Sequence, residues 1–129
     1  MREILFRAKE TFNGECVEGY YEFGYDAETE KPTHYMWVIN HSEKYGEMFM
    51  VVPETVGEYT GLTDKNGKKI FEGDILKTVK GVGYVVYGKG CFCVQYEGQN
   101  KPAIDIVMHY GDVSVIGNTH DSPELLKGE

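Results

Sequence analysis

The chain has 129 residues, 41% hydrophobic and 26% charged, proportions of an ordinary globular domain that exclude a disordered or fibrous class. Its formal charge of −8 repels nucleic acid and anionic membrane at long range, so either partner would need a local basic face. No stretch approaches the roughly 20 apolar residues of a membrane-spanning helix, and three cysteines are too few and too odd for a disulfide framework.

A cytosolic, reducing location is therefore expected, with no membrane partner; no apolar signal-like core follows the basic start. Sixteen glycines and ten tyrosines beside one tryptophan suit short strands joined by tight turns, which predicts an all-β fold.

In chain order, residues 4–6 alternate as a strand, Ile4 and Phe6 facing one way and Leu5 the other. Asn13-Gly14 signals a hairpin, and residues 15–23 form the return strand. Val17, Gly19, Tyr21 and Phe23 share one face; Cys16, Glu18, Tyr20 and Glu22 share the other. Residues 26–32 can bury nothing and read as an exposed loop. The apolar runs 35–39 and 48–52 are predicted as strands buried on both faces, separated by 40–44 and stopped by Pro53.

The character changes near residue 56, which predicts an acidic, aromatic N-terminal lobe over residues 1–58 and a C-terminal β-barrel-like lobe over 59–129. Residues 1–60 hold 12 acids and 5 bases, against 9 and 8 in residues 61–129. The second lobe opens with a turn in which Asp64 caps its own backbone while Asn66 and Gly67 tolerate positive φ. Gly73 and Asp74 belong to a second turn. Strands follow at 75–80, 82–87, 91–96, 104–108 and 113–116, with the glycines Gly81 and Gly83 at a hairpin. Five strands fit a small SH3-like or OB-like barrel. One short helical turn closes the chain at 121–127, with Ser122 capping, Pro123 at the first position, and Glu124 and Lys127 at the ends they suit.

The block over residues 61–76, then Val115-Ile116-Gly117-Asn118 and Ser122-Pro123-Glu124-Leu125-Leu126, resembles the hallmark pattern of the YopX family, as does the opening over residues 1–9. The resemblance spans nearly the whole chain. It implies a largely β protein encoded by phages or prophages, acting in the bacterial host cytosol, with no established activity and no catalytic residue to carry over. Residues 19–59 match no block of that pattern, so an individual member's specificity is expected there.

No catalytic, cofactor-binding or metal-binding residue is assigned. Cys91-Phe92-Cys93 lacks the spacing of a zinc knuckle and reads as thiols filling a core face. His34, His41, His109 and His120 form no second paired motif with it, and His109 and His120 lack orienting partners and a nucleophile. Asp64, Glu72 and Asp74 sit at turns, where carboxylates cap backbone. The expected function is non-enzymatic binding of protein, either a second copy or a host or phage factor, through Tyr20, Tyr25, Tyr35 and Trp37. The alternative is nucleic-acid binding through Lys68, Lys69, Lys77, Lys80 and Tyr84. A third reading makes the acidic lobe a mimic of nucleic acid, which requires its acids to share one side.

Overall fold

The computed structural model describes residues 4–40, 45–88, 90–96, 98 and 112–126. It is all-β: antiparallel strands joined by turns, with short 3-10 turns at Pro53–Thr55 and Pro123–Leu126. No helix among the described residues is long and apolar enough to cross a membrane. The chain divides into two compact units, Met1–Glu58 and Tyr59–Glu129.

The first unit is a meander of β1 (Phe6–Lys9), β2 (Cys16–Tyr25), β3 (Pro32–Asn40) and β4 (Tyr45–Met50), each pairing with the next. The β1–β2 hairpin closes where Glu10 N–H meets Glu15 O at 2.8 Å, leaving residues 11–14 as the turn. There Asn13 Oδ1 accepts from Glu15 N–H at 2.8 Å, and Gly14 adopts φ +72°, which only glycine does at little cost. Beyond β4 the chain returns to β1: Val51 bridges Glu10, Val52 N–H donates to Lys9 O, and Thr11 N–H donates to Met50 O. Ala8, Met36 and Val51 form the core, with Phe6, Val17, Tyr21, Val38 and Val56 packed on it. Burying a side chain the size of Met36 stabilises the fold by roughly 1.5–3 kcal/mol.

Two expectations fail here. The runs 35–39 and 48–52 are not buried on both faces: Met36 and Val51 point inward, but Trp37 is 39% and Met48 48% exposed. An antiparallel sheet needs only one dry face, and the unbroken apolar run arises because the outer face also carries large apolar groups. Phe23, on the inward side by alternation, is exposed as well. It lies beyond the core, its ring 5.0 Å from that of His34.

A strand not foreseen, β5 (Gly57–Thr63), follows, and from Tyr59 it pairs with the three-residue β6 (Lys69–Phe71). The four-stranded sheet of the second unit comprises β7 (Asp74–Thr78), β8 (Gly81–Gly88), β9 (Cys91–Tyr96) and β10 (Ser114–Asn118), in the order β10-β7-β8-β9. Three hairpin-linked strands with a later one beside the first is the Greek-key order. The strand expected at 104–108 lies outside the described residues, as do His41, Lys89, His109 and Lys127. Ile70, Leu76, Val85, Phe92, Val94 and Val113 form the core.

The β7–β8 turn is Val79-Lys80, since Thr78 pairs with Gly81. Gly81 and Gly83 thus belong to β8 and not to the turn. Gly83 is required by close packing: a Cβ there would stand 2.7 Å from Val94 Cγ1 and 2.8 Å from Gln95 O.

Candidate functional site

Strand alternation and register together assemble a surface on the first unit. In β2 the odd positions through Tyr21 face the core, so Glu18, Tyr20 and Glu22 face outward. The β2–β3 register sets Tyr20 opposite Trp37, and the β3–β4 register sets Trp37 opposite Met48. Tyr20, Trp37 and Met48 therefore form one row across three strands, 48%, 39% and 48% exposed. The adjacent row is Glu22, Tyr35 and Met50. Single exposed apolar groups need no explanation, but a contiguous set rimmed by polar groups marks a contact surface.

The rim is polar. Trp37 Nε1–H donates to Glu22 Oε1 at 2.8 Å, a diagonal pair that long side chains on one sheet face can reach. That bond holds the indole over the sheet. On the other side of the row, Glu18 lies opposite Arg7.

Of the residues singled out from sequence, the structure brings Tyr20, Tyr35 and Trp37 together and separates Tyr25. Tyr25 pairs with Pro32 at the end of the sheet, on the other face by alternation, its ring 5.9 Å from that of Phe23. Sequence reasoning missed Met48. Its membership depends on which residue lies opposite Trp37, and only the hairpin register reveals that.

The inward aromatic group is separate. Tyr21 Oη and His34 Nδ1 share a hydrogen bond, with the rings stacked at 5.8 Å, and Phe6 lies 5.7 Å from Tyr21. These contacts close the sheet interior near Phe23. In the β2–β3 loop, Asp26 Oδ1 accepts from Thr29 and Glu28 N–H groups. Those bonds, Thr29's first, hold its carboxyl below the ordinary range.

The described acids do not all share one face: Glu18 and Glu22 face outward from β2, whereas Glu47 lies opposite Val38, on the face that Val38 turns to the core. This scatter removes the basis of the nucleic-acid mimic.

In the second unit the basic residues occupy two turns and two strands. Lys68 is at the Asp64 turn, Lys69 begins β6 with its Nζ 5.8 Å from the Tyr59 ring centroid, Lys77 is in β7, and Lys80 is in the β7–β8 turn. Lys77 lies opposite Val82, and half-buried Tyr84 opposite Ile75, so Lys77 and Tyr84 share a sheet face.

The turn residues are organised by carboxylates. Asp64 Oδ1 accepts from Asn66 and Lys68 N–H, each at 2.9 Å, and Gly67 adopts φ +83°. Buried Asp74 accepts from Phe71 N–H at 2.8 Å across a turn in which Gly73 has φ +92°. Glu72 belongs to that same turn. Exposed His120 donates its backbone N–H to Asn118 Oδ1. Among the described residues, no group of three or more His, Cys, Asp or Glu side chains is placed to hold a metal ion.

Residues 5–127 match the family model described as YopX protein. Among solved structures, the chain is similar to the crystal structure of protein EF1440 from Enterococcus faecalis, at 26% identity, with 98% of this chain and 99% of that one covered and a TM-score of 0.58. No curated protein matches it.

Proposed function

Because this chain belongs to the YopX family, we propose that it is a phage- or prophage-encoded accessory protein that acts in the host cytosol by binding protein, without catalysis. The row Tyr20–Trp37–Met48 carries the reading. It offers two aromatic groups and a flexible thioether on one exposed sheet face, the side-chain types that dominate protein contacts. Glu22, at the edge of the row, favours a partner with an apolar recess bordered there by Lys or Arg. That partner is a second copy of the chain or a host or phage protein.

The test uses Trp37, the single tryptophan of the chain, as its own reporter. Light scattering should show a defined oligomer, or capture from host lysate a specific protein, with Trp37 emission shifting to shorter wavelength on binding. A monomer that captures nothing, with unshifted emission, refutes the reading.

A second reading is nucleic-acid binding through the second unit, folded as an SH3-like or OB-like barrel. The shared face of Lys77 and Tyr84 favours it. A low-salt gel shift that weakens steeply with added salt supports it; no shift with DNA or RNA removes it.

A further inference from the structure

We propose that Cys91 and Cys93 form a dithiol site that reacts with a small disulfide oxidant of the glutathione class and closes into a reversible disulfide within β9. The two residues lie on the same strand with one residue between them, so alternation places both thiols on one side. Their sulfurs are 3.6 Å apart, a contact distance with no room for an atom between them. All three cysteines of the chain are thiols.

The position within the fold allows closure. Cys91 pairs with Gly88 at the turn end of the β8–β9 hairpin, and the turn before it contains Gly90 at φ +83°. The first cysteine therefore sits where backbone can adjust, while the second is held in the sheet. Residues two apart on a strand have Cα atoms about 6.7 Å apart, near the upper limit of about 6.8 Å for a disulfide. The ring closes under strain, and strained disulfides are the readily reduced, regulatory kind.

Exposure sets the order of events. Cys91 is half-buried, whereas Cys93 is only 5% exposed. The Cys91 thiolate attacks one sulfur of the oxidant, forming a mixed disulfide and expelling one thiolate. The Cys93 thiolate then attacks Cys91 Sγ, forming the internal bond and expelling the second. Two electrons pass to the oxidant, which leaves as two thiols carrying the protons the cysteines lost. Phe92, between the two cysteines, is a core residue whose ring lies 5.0 Å from that of Tyr87, so closure reaches the packing of the second unit.

The experiment uses the folded full chain with Cys16→Ser, which removes the exposed third thiol. After incubation with glutathione disulfide and acid quenching, intact mass should show the loss of two hydrogens. Peptide mapping should place the link between residues 91 and 93, and dithiothreitol should reverse it. Adding Cys93→Ser should instead trap one glutathione on Cys91. A stable glutathione adduct on the Cys16→Ser chain without the internal link overturns the proposal, as does a link that forms only in denaturant.

Discussion

Asp64 Oδ2 accepts a hydrogen bond from the backbone N–H of Val115 at 3.0 Å, 51 residues further along the chain. Its other oxygen closes the turn by accepting from Asn66 and Lys68. One carboxylate thus caps a local turn and anchors β10. Hydrogen bonds to a charged group contribute about 1.5–3 kcal/mol each, and removing the acceptor leaves donors without it. Asp64→Ala should therefore destabilise the protein by about 3 kcal/mol or more, read as a lower urea midpoint at unchanged slope. A loss under about 1 kcal/mol contradicts this account.

The same carboxylate should shape the acid limb of stability. Burial pushes its pKa up, but the N–H groups of Val115, Lys68 and Asn66, with the charge of Lys68, outweigh that and hold it below the ordinary 3.8. A carboxylate depressed in the fold stabilises fully above its unfolded value, and that contribution is lost as pH falls through the folded value. Wild-type stability should drop as pH falls below about 3.8, and Asp64→Asn should lack that part of the drop. Urea melts of both proteins across pH 2–6 check it, and parallel curves would refute it.

Gly19 should tolerate no side chain. A Cβ there would stand 1.9 Å from Trp37 O, a backbone atom that cannot move without breaking β2–β3 pairing. Overpacking costs about 1–3 kcal/mol when neighbours can yield, so Gly19→Ala should cost at least the upper figure. Gly24→Ala, where a Cβ meets nothing within 4 Å, should stay within about 0.5 kcal/mol of wild type. Equal melting temperatures for the two variants would refute the close approach.

Trp37→Ala should separate binding from folding. Its indole is outside the core and bonds only to exposed Glu22 among the contacts described, so the stability loss should be about 1 kcal/mol. Binding should fall by about 2 kcal/mol or more, the range of a central aromatic anchor. Calorimetry against the captured partner, or the dimerisation constant, reads the effect. Retained affinity would place the contact surface elsewhere.

The all-β class and the main turns were legible because glycine, asparagine and aspartate leave local signatures: the Asp64–Gly67 turn and the Ser122-Pro123 start need only nearby residues. Three features carried no such signature. β6 is three residues long, too short to show a period. Met48 sits in an unbroken apolar run, where periodicity cannot assign faces. The Asp64–Val115 bond joins residues whose proximity is a product of the completed sheet. For the candidate face, residue type identified Tyr20 and Trp37, whereas strand parity placed Tyr25 on the far side.

The reach from Asp64 to Val115 also orders events during synthesis. The meander of the first unit pairs strands that are neighbours in sequence, and its closures from Val51 and Val52 to Glu10 and Lys9 also stay within residues 1–58, so it can form once that segment has left the ribosome. The Asp64 carboxylate must wait, with one oxygen still in water, until the last described strand has emerged. A nascent chain stalled before residue 115 would thus carry a finished first unit beside an unlatched second one, open to proteases and chaperones.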